Sequence, residues 1–263
     1  MTASLGAVRA SARRASDVLT VLAISDLRIR YGRGGLRALK WFLDPFAALG
    51  IYLVLVAVVL NRSSTAPGLI LVCAILPFQL VVTTVSNAMQ AVGTRASIIV
   101  NMAFPRMLLP LSSLVTESVA FAASLVMLPL MMAIYGVAPT PSTLWLAVAL
   151  ALTVALAASL AYPSALFGIW WPELLPFALS LLRAFFFLAP GLVALSQITG
   201  AAHDWLPLNP LTGLFEFYRH AVLYGDAPPA WQILYPLGVA VLLFAVGVPL
   251  YRREQSALAK LVG

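Results

Sequence analysis

Long apolar runs separated by short polar turns dominate this chain. Positions 118–172 carry no charged side chain, and the only turn-like interruption among them is the stretch YGVAPTPST at 135–143. An uncharged apolar run of about 18 or more residues is typical of a transmembrane helix, because a helix needs about 20 residues to cross the hydrocarbon core. Two crossings joined by a turn account for this run. The pattern therefore predicts a polytopic, all-α membrane protein.

The same pattern predicts six spans in a single transmembrane domain over 1–263. The third span is longer than a bilayer requires, so it is expected to be tilted or broken near Pro129. A cytoplasmic interfacial segment (1–43) and a cytoplasmic tail (251–263) flank the six-span core at 44–250. The predicted spans are 44–60, 68–91, 107–135, 143–163, 174–195 and 231–250.

Three further segments do not fit simple spans. The leading segment has the helical apolar spacing of an amphipathic helix lying in the inner interface, and the loop at 93–106 has an apolar SIIV core that predicts a short membrane-parallel helix ending at Pro105. Segment 196–230 is rich in Pro, Gly and aromatic residues and predicts a short helix after Asn209-Pro210 on the outer side. The apolar positions of the leading helix are Val18, Leu19, Leu22, Ala23 and Leu27.

Composition and charge distribution orient the chain. Apolar residues make up 62% and charged residues 10% of the sequence, and the mean hydropathy is +0.98. The net charge of +7 reflects topology rather than nucleic-acid binding, since eight of the sixteen Lys and Arg residues lie in the first forty positions. With the amino terminus inside, thirteen basic residues fall on the inner side and two, Arg62 and Arg219, on the outer side. The positive-inside rule therefore predicts that both termini are cytoplasmic.

Motifs for catalysis and for nucleotide or metal binding are absent from the sequence. Only two lysines occur, Lys40 before Trp41 and Lys260 before Leu261, so no GxxxxGK[ST] phosphate loop is formed. One cysteine, Cys73, excludes an intramolecular disulfide, and His203 and His220 lack a metal-like spacing. The chain is therefore expected to be a non-enzymatic protein without a bound metal or cofactor, and any ATP-dependent work requires another chain.

Two ionisable residues lie deep inside predicted spans. Glu117 is ten residues past the inner start of the third span, and Arg183 is nine past the inner start of the fifth. At about 1.5 Å per residue both lie roughly 14–15 Å deep, where an isolated charge costs about 2.5–3.5 kcal/mol. A Glu117–Arg183 ion pair, within one subunit or across a dimer, is one interpretation. A pore-lining Arg183 that contacts substrate, or simple snorkelling, are the others.

Four ordered stretches resemble the membrane-spanning subunit of ABC exporters for polysaccharides such as O-antigen, teichoic acid or galactan. They cover most of the chain in the topological order of that family. An Arg-Asp pair that the family usually carries after span four is replaced here by FGIWWPELLPF. The four stretches are DLRIRYGRGGLRALKWFLDP, NMAFPRMLLPLSSLV, FFFLAPGLVALSQI and NPLTGLFEFYRHAVLYG.

The resemblance implies a homodimeric permease in the bacterial cytoplasmic membrane that moves lipid-linked polysaccharide outward. Two copies of a separate ATP-binding subunit would hold ATP and Mg. The alternatives are an ABC exporter of small amphiphiles, lipids or drugs, a self-powered secondary transporter, and a membrane-embedded enzyme. An inverted repeat is not evident, and only one intramembrane carboxylate is predicted, which argues against the secondary transporter.

Four groups of residues are expected to serve this function: the resemblance implies the coupling and gate roles, and side-chain chemistry suggests the headgroup and sugar-stacking roles. One group would couple the loop at 93–106 to the ATPase, one would receive the substrate headgroup at the inner leaflet, one would form the outer gate, and one would stack on sugar rings. Simpler interpretations are an ordinary basic loop, anionic-lipid contacts, an external loop and an interfacial aromatic belt. In that order the groups are Arg95, Phe104, Pro105 and Arg106; Arg28, Arg30, Tyr31, Arg33 and Arg37; Asn209, Pro210, Glu216, Tyr218 and Arg219; and Phe185, Phe186 and Phe187.

Overall fold

Helices and short helical turns make up the ordered elements of the computed structural model, which describes residues 16–28, 46–56, 66–94 and 106–255. No strand occurs in these residues, as the sequence predicts. Single turns at Pro141–Leu144, Pro172–Leu174, Leu195–Gln197, Ala202–Trp205 and Leu206–Leu208, and a π-helical turn at His220–Tyr224, connect the longer helices. The longer helices are α1 (16–28), α2 (46–54), α3 (Pro67–Thr94), α4 (Leu108–Ser124), α5 (Met127–Tyr135), α6 (Trp145–Trp170), α7 (Leu175–Leu188), α8 (Pro210–Arg219) and α9 (Ala230–Glu254).

Four of the predicted spans appear as helical segments long and apolar enough to cross a membrane. Within the described residues these segments are Pro67–Thr94, Leu108–Tyr135, Pro141–Trp170 and Ala230–Glu254. They correspond to the predicted second, third, fourth and sixth spans. The fourth continues to Trp170, past the predicted end at 163, because Pro163 is accommodated inside the helix.

The first and fifth predicted spans differ from the other four. Residues 46–54 of the first span are helical, but parts of 44–60 lie outside the described residues. The fifth, predicted over 174–195, is helical only from Leu175 to Leu188. Fourteen residues reach about 21 Å, and Pro190 lacks the N–H needed to extend the helix. A count of six complete spans stays a prediction.

The third span is broken where the sequence predicts a break. Pro129 has no N–H to donate to the carbonyl of Leu125, four residues earlier. The Leu125 carbonyl instead accepts from the N–H of Leu128 at 3.0 Å, and a turn at Leu125 and Val126 separates α4 from α5. Gly136 ends α5 at φ 66°, in the left-handed region that favours glycine.

Helix α3 forms the centre of the bundle. Most of its residues are buried, and it packs against α4, α6 and α8. Helix α9 packs against α6 and α8 and leaves most of its surface exposed. The crossing of α3 and α6 is very close at Gly168, where an added Cβ would lie 1.9 Å from the carbonyl oxygen of Met89. This contact brings two backbones together without intervening side chains.

The amino-terminal helix packs onto the bundle by one face. Leu22, Ala23 and Leu27 are buried, whereas Val21 and Ile24 are exposed. The Thr116 hydroxyl on α4 lies 3.4 Å from a carboxylate oxygen of Asp26 and donates to it. The predicted amphipathic helix is therefore present in these residues, and its position in the membrane interface stays a prediction.

Candidate functional site

Helix α8 lies inside the bundle, although its sequence follows a polar, Pro-rich segment. Asn209 caps it by accepting the Leu211 N–H at 3.0 Å, and Pro210 at the first helical position needs no hydrogen-bond partner. The Asn209 amide also donates to the Phe185 carbonyl at 2.7 Å, which fastens the helix start to α7. Every residue at 211–219 is buried. The segment is therefore an internal helix rather than a plain external loop.

An ion pair occupies the end of α8. The Arg219 Nη1 donates to Glu216 Oε1 at 2.6 Å, and Arg219 is completely buried. Its Nη2 donates to the carbonyl of Pro190 at 3.0 Å and lies 3.4 Å from those of Ile70 and Gly191. Removing one partner of a buried ion pair leaves an uncompensated charge in the interior. This lowers the stability of a protein by about 3–5 kcal/mol.

The Glu216 carboxylate joins two more groups to this pair. Its Oε1 accepts the Leu195 N–H at 2.7 Å, and its Oε2 accepts the Tyr224 hydroxyl at 3.3 Å. Burial, with the Glu216 charge as a second contribution, raises the pKa of Tyr224 to about 12. The tyrosine therefore stays protonated at neutral pH and remains a donor to the carboxylate.

The Glu216–Arg219 pair adds burial to the sequence interpretation. The sequence places Arg219 on the outer side, in the short helix after Asn209-Pro210, and the structure buries it in that helix. The side of the membrane on which it lies stays a prediction. The pair itself was not predicted from sequence, although Glu216 and Arg219 are three residues apart and can meet on one helical face.

Hydrogen bonds and close packing fix α8 to its neighbours. The Tyr218 hydroxyl is 2.8 Å from the Thr153 hydroxyl on α6, which donates to the Ala149 carbonyl at 2.7 Å. On another side, a Cβ at Gly213 would lie 3.1 Å from the ring of Pro236 on α9. The sequence analysis did not identify Thr153 as a neighbour of this site. The feature that could have indicated it is a hydroxyl side chain at the middle of an apolar span.

A second polar pair lies just past α8, nearer the surface. His220 Nδ1 is 2.6 Å from a carboxylate oxygen of Asp226, and Gly225 between them adopts φ 79°. The Asp226 side chain is 64% exposed. The His203 Nδ1 lies 3.6 Å from a carboxylate oxygen of its neighbour Asp204. No group of three metal-binding side chains occurs in the residues that the structure describes.

The three consecutive phenylalanines of α7 have different surroundings. Phe186 is buried at the centre of an aromatic cluster, with ring centroids 4.7 Å from Phe78, 5.5 Å from Tyr52 and 5.8 Å from Phe215. Phe185 and Phe187 are exposed. Phe186 therefore acts in packing, whereas the other two are available to lipid or substrate.

The two predicted intramembrane charges also differ in their surroundings. Glu117 is buried in α4, and its Oε1 accepts the Asn87 amide of α3 at 2.5 Å. Arg183 is exposed on α7. Asn87 was not singled out from sequence, although it lies in the polar half of the second span. An ion pair between Glu117 and Arg183 stays a prediction.

Two of the predicted site groups fall mostly outside the described residues. Of the headgroup residues only Arg28 is described, and it is exposed at the end of α1; Arg30, Tyr31, Arg33 and Arg37 lie outside. Of the coupling residues only Arg106 is described. The coupling residues outside the described part are Arg95, Phe104 and Pro105.

Arg106 connects the start of α4 to the end of α9. Its Nη1 donates to the Gln255 carbonyl at 2.7 Å, and its own carbonyl accepts the Tyr251 hydroxyl at 3.2 Å. The adjacent Met107 carbonyl lies 3.4 Å from the Tyr162 hydroxyl on α6. Three helices therefore meet directly after the loop at 93–106.

Comparisons with known proteins support the resemblance found in the sequence. No protein-family profile matches the chain. It is 26% identical over 245 residues to the O-antigen export system permease protein RfbA of Myxococcus xanthus, which covers 91% of this chain and 94% of that protein. Two Klebsiella pneumoniae proteins of the same name are 22% and 23% identical, each over 94% of this chain and 95% of their own length. With its apolar helices, this similarity indicates a multi-pass membrane protein.

Proposed function

We propose that this chain is the membrane-spanning subunit of an ATP-driven exporter of lipid-linked polysaccharide, of the O-antigen type. In this proposal two copies form the conduit in the bacterial cytoplasmic membrane, and two copies of a separate ATP-binding subunit supply the energy. The observation that carries the proposal is similarity to O-antigen export permeases over more than nine-tenths of the chain. A local motif shared by unrelated proteins would not extend over so much of the chain.

The packing of the described helices agrees with a conduit rather than a catalyst. Its buried polar groups join separate parts of the chain: Glu117 contacts Asn87, Tyr218 contacts Thr153, and Arg219, paired with Glu216 on its own helix, donates to the Pro190 carbonyl after α7. Each of these contacts joins side chains to one another or to backbone carbonyls. Such contacts position helices, and a transport subunit requires helices that move as defined bodies.

The loop at 93–106 is proposed to receive the movement of the ATP-binding subunit. It precedes the point where Arg106, Gln255 and Tyr251 tie α4 to α9. A displacement of the loop would therefore be passed to two helices at once. In this proposal Arg106 acts inside the chain, and Arg95 is the basic residue left to meet acids on the ATP-binding subunit.

The headgroup and gate proposals concern opposite ends of the conduit. Arg28 is exposed at the end of α1, and a guanidinium fork suits the pyrophosphate of a lipid carrier at the inner leaflet. At the other end, α8 is an internal helix between α3, α6 and α9, and we propose that it forms the outer gate. Phe185 and Phe187 on α7 are exposed beside it and are the aromatic side chains available to sugars.

A self-powered transporter is the main competing function. The sequence predicts one intramembrane carboxylate for proton coupling, whereas the described residues contain two buried ones. Glu216 is a second buried carboxylate in addition to Glu117. Its charge is, however, already matched by Arg219 at 2.6 Å. A carboxylate held in this way is a poor proton carrier, because protonation would leave Arg219 uncompensated in the interior.

Reconstitution of the full-length chain with its co-purifying ATP-binding subunit in liposomes tests the proposal. Lipid-linked glycan is placed in the leaflet that the ATP-binding subunit faces, and its arrival in the opposite leaflet is followed with a membrane-impermeant glycosidase. The expected result is ATP-dependent exposure of the glycan. A variant of the phosphate-loop lysine in the ATP-binding subunit is the control and should abolish the exposure.

Two outcomes would contradict the proposal and identify its competitors. Glycan exposure by this chain alone, without nucleotide, would indicate a self-powered transporter. ATP-dependent movement of a labelled phospholipid or drug, with no movement of glycan, would indicate an exporter of small amphiphiles.

A further inference from the structure

Three separate parts of the chain meet at the guanidinium of Arg219. They are the end of α8 through Glu216, the break after α7 through Pro190 and Gly191, and the first turn of α3 through Ile70. We propose that Arg219 and Glu216 clamp residues 189–224 into one mechanical unit, and that this unit separates from α3 at the Arg219–Ile70 contact when the outer end opens. The opening step rests on the proposed transport function, whereas the clamp does not.

The bonds inside the unit are short and come from both members of the pair. Glu216 accepts from Arg219 at 2.6 Å and from the Leu195 N–H at 2.7 Å, and Arg219 donates to the Pro190 carbonyl at 3.0 Å. These bonds join α8 to the irregular backbone that follows α7. That backbone has carbonyls with no helical partner, and a cation at a helix end stabilises them.

The hydrogen bond from the unit to α3 is weaker than the bonds inside the unit. Nη2 of Arg219 carries two hydrogens but faces three carbonyls, those of Pro190, Gly191 and Ile70. Pro190 is the nearest of the three, so Gly191 and Ile70 compete for the remaining hydrogen at 3.4 Å each. Loss of the Ile70 contact would therefore strengthen the Gly191 contact, and the clamp stays intact as α3 is released.

An unsatisfied donor lowers the cost of this release. The Nε of Arg219 is buried and has no hydrogen-bond partner within the described residues. A buried donor without a partner on a charged group destabilises the closed arrangement. We call the Arg219–Ile70 contact between the unit and α3 the seam. Water admitted when the seam opens would supply the missing partner. The closed state is therefore less stable than it would be if the Arg219 Nε also had a hydrogen-bond partner.

The single cysteine of the chain lies beside the seam and can report on its opening. Cys73 is on α3, three residues after Ile70, and is completely buried. Both Glu216 and Arg219 are close enough to act electrostatically on its thiol. A water-soluble alkylating reagent reaches this thiol only when the seam opens.

The test measures alkylation of Cys73 by a charged, membrane-impermeant maleimide in membranes that contain the full-length chain. Arg219→Gln and Glu216→Gln should each raise the labelling rate about tenfold, because the labelled fraction follows the opening equilibrium. Arg219→Lys keeps the charge without the fork and should be intermediate, and Tyr224→Phe, which removes one donor to Glu216, should raise the rate about twofold to fivefold. Arg252→Gln, an exposed site at the far end of α9, is the matched control and should label at the wild-type rate.

Each outcome decides the proposal. Wild-type labelling rates in Arg219→Gln would overturn the clamp. If that variant does not accumulate, wild-type rates in both Arg219→Lys and Tyr224→Phe would overturn it equally. In the reconstituted complex, ATP and lipid-linked glycan should raise Cys73 labelling in the wild type. An unchanged Cys73 labelling rate during active export would contradict the proposed separation of the unit from α3. Faster labelling in the variants, together with no ATP-dependent glycan export by the wild-type complex, would uphold the clamp and refute the proposed function.

Discussion

Most buried polar side chains in the described residues have partners, and the partner decides what a substitution costs. The Thr153–Tyr218 contact shows that removing one oxygen or the other has unequal consequences. Its hydroxyl contacts both the Ala149 carbonyl of its own helix and the Tyr218 hydroxyl of α8. Removing the tyrosine oxygen leaves Thr153 with its backbone partner. Removing the threonine oxygen instead strands the tyrosine hydroxyl in the interior, where an unsatisfied polar group is costly.

Substitutions at this contact should therefore differ in magnitude. Thr153→Val should lower the free energy of unfolding by about 1–3 kcal/mol and Tyr218→Phe by about 0.5–1.5 kcal/mol. Thermal unfolding of the detergent-solubilised protein measures both variants. Equal losses, or a larger loss for Tyr218→Phe, would show that the hydroxyl pair does not hold α8 to α6.

At the scale of elements, helix contacts in this bundle depend on a few residues without bulky side chains. Gly168 lets α6 touch the backbone of α3 at Met89, and Gly247 lets α9 approach the ring of Pro163 on α6. Close backbone approach of this kind is typical of helices in membranes, where association depends on packing and not on the hydrophobic effect. Gly238 on α9, by contrast, faces open space, because no atom lies within 4 Å of the point that an added methyl group would occupy.

Substitution of Gly168, at a close helix crossing, and of Gly238, in open space, provides a matched experiment. Gly168→Ala would place a methyl group 1.9 Å from the Met89 carbonyl oxygen, so α3 and α6 must separate, and the free energy of unfolding is expected to fall by about 3 kcal/mol, the upper end of the usual cost of overpacking. Gly238→Ala adds a better helix former in open space and should be neutral or stabilising by up to about 1 kcal/mol. The yield of folded protein and its thermal stability measure both. Similar behaviour of the two variants would exclude the tight crossing.

At the scale of the whole molecule, charge sets orientation and packing sets which helices lie inside. Thirteen basic residues on one side predict cytoplasmic termini. Arg106, Tyr251 and Gln255 meet at one end of the bundle, which the predicted orientation places on the cytoplasmic side. Residues 220–226 follow α8, and the predicted orientation places them on the other side of the membrane.

Cysteine labelling tests this orientation. In a Cys73→Ser background, Asp226→Cys should react with a membrane-impermeant maleimide added to intact cells, because its side chain is 64% exposed. Arg252→Cys, exposed near the end of α9, should react only after the cells are opened. The reverse pattern would invert the topology and, with it, the proposed direction of transport.

The sequence by itself determined the class of the protein, four of its spans and the helix after Asn209-Pro210. These features follow from local signals, since a long apolar run, a helix cap and a proline act through neighbouring residues. The break before Pro129 was predictable for the same reason. The early end of α7 at Leu188 was not predicted, because the apolar run continues past the proline that stops the helix.

Only the tertiary structure decided which polar residues are buried together. The sequence places Arg219 in a short outer helix but does not indicate that it contacts Ile70, 149 positions away. Asn87 and Glu117, or Tyr218 and Thr153, are likewise joined by helix packing that no local pattern encodes. The physical reason is that helix formation depends on nearby residues, whereas the burial of a charge depends on which distant backbone carbonyls and side chains can satisfy it.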